Sequence, residues 1–258
     1  MEQTTAAGRG RTVPSGWAKT ISHFRPASVV TAEQADRYYL RVHTRFARHF
    51  LRGMDQVVSY HTNRAEAGYD LLGGWERPPS AFRYVVLRFR PGRGLEPSEE
   101  LRETIVADHR VFLRELRSFR VDEQVLLDRL TGQTALEKYL FEFDRRDGTA
   151  PAEAREHLDA ALAVLAEQAS SAFGVRQILV DHVVQEQETA PVDEPGQRPL
   201  PRMLPVTRRQ AFLEFYFDQR EWAEEFFARD AVRAVLRDRF WAAAVGHRVT
   251  EQCGLDRR

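Results

Sequence analysis

The sequence repeats one order of predicted elements, first over residues 17–128 and again over residues 136–252. Each half is predicted to run strand, helix, strand, strand, helix and a short last strand. The closest match joins Gly53–His61 to Gly174–His182, where Gly, Gln, two aliphatic residues and His recur in register. A repeat this long indicates a duplicated domain rather than a solenoid. The chain is therefore expected to carry its own pseudo-dimer, and a homodimer of whole chains stays open.

The order βαββαβ predicts four antiparallel strands with two helices on one face, which is a ferredoxin-like unit. We therefore predict an α+β protein with ferredoxin-like repeats at residues 16–132 and 133–252. A disordered tail is expected at residues 1–15 and a second tail at residues 253–258, so that Cys253 would lie in a frayed end.

Turn residues predict where the elements of each half stop. The first helices, starting at Thr31 and Pro151, are predicted to end at left-handed glycines, Gly53 and Gly174. Irregular inserts are predicted between the second and third strands because these segments are rich in Gly or Pro. The inserts are Thr62–Ser80 and Gln185–Thr207, and the second helices are predicted over Ser98–Ser118 and Gln219–Arg239.

The charges exclude one class of partner. The chain has 38 Lys and Arg residues against 38 Asp and Glu residues, and neither sign is gathered into one half. A binder of nucleic acid or of an anionic membrane would carry a basic surface, so neither partner is expected. Lys19 and Lys138 are the only lysines, a bias that we attribute to a GC-rich genome and to no site.

Cysteine and histidine spacing predicts no metal site. The single Cys253 excludes an internal disulfide and a cysteine cluster, which fits a reducing compartment. No His-x-x-x-His pair or carboxylate–His–carboxylate group has ligand spacing. No apolar run approaches the roughly 20 residues of a membrane span, and the start lacks the apolar core of a signal peptide. A cytoplasmic protein is expected.

The run Tyr38–Arg48, with Gly53 and the strand to His61 after it, resembles the EthD-like branch of the dimeric α+β barrel superfamily. In that branch an aromatic residue and a histidine lie on the first helix, and a glycine ends the helix before a strand. The resemblance covers most of the first half and the outline of the second, where Val164 replaces His43. It implies two ferredoxin-like sheets that pack face to face into one barrel, here within one chain.

Three residues are catalytic candidates. His43 is predicted on the sheet-facing side of a helix, where histidine can move a proton near neutral pH. Tyr39 lies on the same face, within reach of a shared hydrogen bond. His61 ends a strand beside a long insert, where a small molecule could enter. The substrate-binding candidates are His23, Tyr60, Tyr84 and His182, and for every candidate a core or backbone-capping role is the alternative.

Three functions stay open, because fold analogy alone does not choose among the superfamily's activities. The first is cofactor-independent proton transfer of the cyclase, dehydratase or isomerase type on a hydrophobic, polyketide-like or aromatic molecule. His43 would be the base or acid, with His61 and Tyr39 assisting. The second is a cofactor-free monooxygenase, and the third is a binding protein without chemistry. No cofactor is expected, with haem as the alternative because a lone histidine can be an axial ligand.

Overall fold

The computed structural model describes residues 13–27, 29–73, 79, 81–132, 135–189, 201–204 and 207–257. The predicted N-terminal tail therefore lies outside the described residues up to residue 12. Within the described residues, no helix is both long and apolar enough to cross a membrane.

The first half folds as four strands, three α-helices and one π-helical turn. Its elements are β1 (Val13–Pro26), α1 (Ala32–Tyr38), a π-helical turn (Tyr39–His43), α2 (Thr44–Arg52), β2 (Val57–Asp70), β3 (Arg83–Phe89), α3 (Glu99–Phe112) and β4 (Leu113–Asp128). Helix α1 begins where the sequence predicts, because Thr31 accepts a hydrogen bond from the Gln34 amide and Gln34 bonds back to the Thr31 amide.

The second half follows the same order with one added strand. Its elements are β5 (Glu137–Asp144), α4 (Pro151–Ser170), β6 (Val175–Thr189), β7 (Pro201–Leu204), β8 (Arg209–Phe217), α5 (Arg220–Ala228), α6 (Asp230–Leu236) and β9 (Ala243–Asp256). Extended backbone at Arg229 separates α5 from α6, so the single helix predicted over Gln219–Arg239 is wrong.

Eight of the strands close into an antiparallel barrel. The order is β4-β1-β3-β2-β9-β5-β8-β6, with β6 pairing back to β4 and β7 added beside β6. The first half contributes the order β4-β1-β3-β2, and the second half contributes β9-β5-β8-β6. The last strand of each half therefore pairs with its own first strand and with the second strand of the other half. These two shared seams, β4–β6 and β2–β9, hold the halves in one barrel.

Side chains along each strand alternate between an outer core, which packs against the helices, and the interior of the barrel. On β5, Tyr139, Phe141 and Phe143 pack into the core that contains the helix residues Leu158 and Leu162. The intervening residue Leu140 belongs to a second core inside the barrel, with Ile21, Val86, Phe119, Val121, Phe212 and Val249. Since successive side chains point to opposite faces, Lys138 and Glu142 also point into the barrel, where they are buried.

The strands extend further than the local sequence pattern predicts. Thr62–Asp70 belongs to β2 instead of an irregular insert, and Leu113–Ser118 belongs to β4 instead of a helix. Strand β9 continues through Cys253 to Asp256, and β6 and β7 occupy the described ends of the second insert. Strand β7 pairs with β6, the strand before it in the chain. For the other extensions the backbone partner includes a strand distant in sequence and from the other half, and a local pattern does not reveal such a partner.

The two repeat glycines have different roles. Gly174 has φ +74°, as the left-handed helix end requires. Gly53 has φ −78° and right-handed geometry, so the predicted left-handed stop is wrong there. Strand pairing aligns the two halves differently from the sequence repeat. Strands β2 and β6 both have a bulge at their first residues, so Val57 is structurally equivalent to Val175 and His61 to Leu179. His61 and His182 therefore occupy positions that face opposite sides of the sheet.

Gly246 provides a test of the outer core. A Cβ atom at this position would lie 2.0 Å from Cε1 of Phe141 on the neighbouring strand. We expect Gly246→Ala to lower the free energy of unfolding by about 1–3 kcal/mol, as overpacking does. Gly94→Ala is the control, because nothing lies within 4 Å of its Cβ position. Urea unfolding of both variants measures the difference, and equal stability would refute this packing.

Candidate functional site

A cluster of charged side chains fills one end of the barrel interior, and we call it the interior network. Its members are Lys19, Arg88, Glu123, Lys138, Asp181, Glu214 and Glu251. Lys19 and Lys138 are 0% and 1% exposed, so both ammonium groups are withdrawn from water. A buried charge is tolerated only when it is paired and hydrogen-bonded, and here every cation has a carboxylate within 2.9 Å.

The network has two lysine centres joined by one glutamate. Lys19 Nζ lies 2.5 Å from Glu123 and 2.9 Å from Asp181, and it also contacts Glu214. Lys138 Nζ lies 2.5 Å from the other oxygen of Glu214 and 2.5 Å from Glu251. Glu214 therefore bridges the two ammonium groups across the barrel.

The lysines occupy matching places in the two halves. Lys19 pairs with Arg88 and Val121 on its neighbouring strands, and Lys138 pairs with Tyr216 and Val249. Two residues beyond each valine stands a glutamate that binds the lysine, Glu123 in one half and Glu251 in the other. The expectation that the two lysines belong to no site is therefore wrong, since both ammonium groups are central to the interior network.

Protonation of Asp181 balances the charge. Burial alone would raise the pKa of Glu123 and of Glu251, but Lys19 and Lys138 respectively lower each to about 2. Lys138 and Lys19 likewise hold the pKa of Glu214 well below its usual range against the effect of burial. Burial and the neighbouring glutamates raise the pKa of Asp181 well above its usual value, although Lys19 opposes them. Three cations therefore face three carboxylates and one neutral Asp181.

A cavity of about 960 Å³ opens above the interior network at this end of the barrel. Arg88, Lys138, Tyr216 and Glu251 of the network and its surroundings line the cavity, and so do His61 and Cys253. The volume is within the range of small-molecule sites. Its lining is mainly charged and polar, which does not suit the hydrophobic ligand that the sequence predicts.

A second cluster lies between the sheet and the helices of the first half, and we call it the helix-layer cluster. It contains Tyr39, His43, Tyr60, Asp108 and His109. The π-helical turn carries Tyr39 and His43, and such turns occur frequently at functional sites. His43 Nδ1 lies 2.5 Å from Asp108 Oδ2 on α3, and the His43 side chain is 9% exposed.

Proton positions in the helix-layer cluster follow from burial. Burial and the hydrogen bond to Tyr60 raise the pKa of Tyr39, whose hydroxyl lies 3.0 Å from that of Tyr60. Burial raises the pKa of Tyr60 to about 12, and burial lowers the pKa of His109 to about 4. Burial would raise the pKa of Asp108, but its hydrogen bond with His43 lowers it. At neutral pH the phenols are therefore protonated, His109 is neutral and Asp108 is ionised.

The candidate site residues that the sequence predicts lie in several parts of the fold. The structure brings Tyr39, His43 and Tyr60 together, although Tyr39 bonds to Tyr60 and meets His43 only by ring contact at 4.8 Å. His61 lies across the sheet, inside the barrel. His23 and Tyr84 lie at the other end of the barrel interior, around Glu142.

His182 faces the helices of the second half. Burial lowers the pKa of its imidazole to about 3, with Arg155 adding to the effect, so His182 is neutral. Its neighbours on that face of β6 are the core residues Ile178 and Val180. Sequence reasoning missed Asp108 and the carboxylates of the interior network. Only the rarity of lysine could have signalled the network.

Solved structures with a similar fold come from several enzyme groups. An anthrone oxidase-like protein matches over 96% of this chain and 98% of its own, with TM-score 0.55 and 12% identity. A candidate monooxygenase from Lactobacillus acidophilus NCFM matches over 92% and 94%, with TM-score 0.50 and 8% identity. A mutant chlorite dismutase from Candidatus Nitrospira defluvii matches over 92% of both chains, with TM-score 0.50 and 8% identity.

These likenesses show the fold alone, which is a closed antiparallel α+β barrel, and no activity. No family model matches the sequence. The comparison with curated proteins found no match either.

Haem is the alternative cofactor that the sequence leaves open, and the packing of the described residues shows whether there is room for it. Between the sheet and the helices of the second half, the described side chains form a closed apolar core around Phe141, Phe215 and Phe227. Around His43, the rings of Tyr38, Tyr39 and Phe112 take up the same layer. A macrocycle would have to displace these rings, so the described residues do not fit haem.

The neutral state of Asp181 predicts an asymmetry between two variants. A raised carboxyl pKa means that the folded state holds a proton, so this group's contribution to stability falls as pH rises above its unfolded value. Asp181→Asn, which mimics the neutral acid, should be at least as stable as the parent at pH 7, and its relative stability should rise from pH 5 to pH 8. Glu214→Gln leaves buried ammonium groups underpaired and should cost about 3–5 kcal/mol.

Urea unfolding at pH 5, 7 and 8 measures both effects. Equal losses of stability in the two variants would show that Asp181 is ionised and that the charge count is wrong.

Proposed function

We propose that this chain is an enzyme that transfers a proton on a small-molecule substrate, with His43 as the general base or acid. The contact that carries the proposal is the 2.5 Å pairing of His43 Nδ1 with Asp108 Oδ2. A carboxylate at Nδ1 fixes the imidazole tautomer and stabilises the imidazolium, which leaves Nε2 to exchange the proton. This supports the role that the sequence predicts for His43 and adds Asp108 as the residue that positions it.

The other groups of the helix-layer cluster suit supporting roles. Tyr39 and Tyr60 keep their protons at neutral pH, so either phenol can donate a hydrogen bond to an oxygen that gains negative charge. Arg83 lies over the Tyr39 ring at 4.3 Å and binds Asp36, which holds the ring in place. Tyr60 thus keeps its predicted substrate-binding role as part of the proposal.

The surroundings of His43 favour an aromatic or polyketide-like substrate. Three aromatic rings have centroids 4.8–5.2 Å from that of the His43 ring, and they belong to Tyr39, His109 and Phe112. Aromatic rings pack favourably against one another, and they exclude water from a developing enolate. The reaction types in this proposal are cyclisation, dehydration or isomerisation without a cofactor, in secondary metabolism.

A cofactor-free monooxygenase is the second candidate, because it begins with the same step. Removal of a proton from an electron-rich substrate gives a carbanion, which can react with oxygen instead of being reprotonated. With anthrone, uptake of one O₂ and loss of one water would give anthraquinone. Binding without chemistry is the remaining alternative.

The proposal includes the origin of the site. The matched strand orders support two ferredoxin-like repeats that arose by duplication, with the first half EthD-like. In the second half Val164 stands at the sequence position of His43, and a closed aromatic core fills the layer. One half would then retain the chemistry while the other supports the barrel, in a cytoplasmic protein.

Anthrone in deuterium oxide without oxygen provides a direct test. A base that removes a C10 proton exchanges it for deuterium, and proton NMR measures the rate. His43→Gln should lower the catalysed rate by about 10²–10⁴-fold, as loss of a general base does. Asp108→Asn should lower it less, because the imidazole remains but its tautomer is no longer fixed.

His49→Gln is the matched control, since this exposed histidine lies on the helix that follows His43. Admitting oxygen then separates the candidates: oxygen uptake supports the monooxygenase, and exchange without uptake supports proton transfer alone. Exchange by His43→Gln at the parent rate would exclude both.

A further inference from the structure

His61 is buried without a hydrogen bond. Its exposure is 6%, and neither ring nitrogen has a hydrogen-bond partner among the described residues. Nδ1 lies 3.5 Å from Glu251 Oε1, which is an ionic distance rather than a hydrogen bond. An imidazole buried in this way costs free energy unless a ligand completes it. Since His61 lines the 960 Å³ cavity, such a ligand has access to it.

A β-bulge places two further donor groups beside His61. Tyr60 pairs with Leu255, but the next residue His61 pairs with Cys253, so Gly254 is the extra residue of β9. A Cβ atom on Gly254 would lie 2.3 Å from the Tyr60 ring, which allows only glycine there. Bulges re-aim side chains, and this one brings Cys253 and Asp256 to the face that carries His61. Both residues also line the cavity.

The three donor atoms are close enough to share one ion. An imidazole nitrogen of His61, the sulfur of Cys253 and a carboxylate oxygen of Asp256 all lie within 4.8 Å of one another. Two other groups among the described residues have similar spacing. In the group of Glu123, Asp181 and Glu214, the Lys19 ammonium takes the central position. In the group around His43, Asp108 already binds Nδ1.

We propose that His61, Cys253 and Asp256 bind one divalent transition-metal ion, with a further coordination position open to the cavity. Thiolate, imidazole and carboxylate together favour Zn²⁺ over Mg²⁺ or Ca²⁺, which prefer oxygen ligands. Three protein ligands with an open fourth position are the pattern of a zinc site that binds water or substrate. Glu251 faces one nitrogen of His61 and would orient the ring so that the other nitrogen meets the metal.

This site is independent of the proposed function. His61 lies inside the barrel, whereas His43 lies on the helix side of the same sheet. The polar lining of the cavity suits a charged or strongly polar molecule that binds the open position of the metal. Loss of activity in His43 variants would therefore neither support nor weaken the metal site.

Titration of the full chain with Co²⁺ tests the proposal, since Co²⁺ replaces Zn²⁺ and has a visible spectrum. We expect one Co²⁺ per chain, a near-ultraviolet sulfur-to-cobalt absorption band and displacement by one equivalent of Zn²⁺. Cys253 is the only cysteine, so Cys253→Ser must abolish the band. His61→Ala and Asp256→Asn should each weaken Co²⁺ binding at least about 100-fold, more than loss of an outer-shell partner does.

His182→Ala is the matched control, because His182 is also a buried histidine without hydrogen bonds but has neither Cys253 nor Asp256 beside it. Its affinity for Co²⁺ should equal that of the parent. Circular dichroism checks that each variant is folded, and the exposed Cys253 and Asp256 make their conservative variants the safest of the set. Absence of the band in the parent, or unchanged affinity in Cys253→Ser, would overturn the proposal.

Discussion

The interior network of lysines and carboxylates is the constraint on which the barrel depends. Lys19 on β1 binds Glu123 from its own half and Asp181 and Glu214 from the other half. The contacts therefore cross the β4–β6 seam and fix the position of one half against the other. Removing one partner of a buried ion pair costs several kcal/mol because the other charge stays buried. A barrel closed in another register would leave these charges unpaired, so the network selects the observed closure.

The network also limits where a small molecule could bind. Side chains fill the middle of the barrel, with charged residues at the cavity end and the cluster around Glu142 at the other. The places left for the proposed substrate or ligand are the helix layer of the first half and the cavity at the barrel mouth. His43 lies in the helix layer and His61 at the cavity, and the sheet separates the two. The corresponding layer of the second half is packed with aromatic rings, so the two halves differ in packing although they match in strand order.

Sequence patterns predicted the element types well and their lengths poorly. Aromatic and β-branched runs predict strands over Phe82–Phe89 and Ala211–Phe217. Strands β3 and β8 match these ranges to within two residues, because both strands are largely buried on both faces. The ends of β2, β4 and β9 were missed, since they pair across seams with strands distant in the chain. Strand pairing also explains why His61 and His182 are not equivalent. The repeated Gly, Gln and His align the two histidines in sequence, but the register of each strand decides which face of the sheet a side chain occupies.

The site residues show a similar division. His43, Tyr39 and Tyr60 were predicted from helix spacing and from resemblance, and they do lie together. Asp108 could not be predicted, because its link to His43 depends on how α3 packs beside α1 and the π-helical turn. The metal proposal had no signal in ligand spacing, because His61 and Cys253 are far apart in the sequence and meet only through the β2–β9 pairing. Lysine rarity was a usable signal, and attributing it to the genome concealed the network.

Nitrogen-15 NMR of lysine side chains tests the central claim most directly, because a chain with two lysines gives two Nζ signals. Burial would lower the pKa of each ammonium, but the surrounding carboxyl groups raise both above the usual 10.5. The account predicts that both signals remain those of protonated, slowly exchanging ammonium groups at a pH where exposed lysines lose their protons. Titration of either Nζ at or below 10.5 would contradict the network and the closure that depends on it.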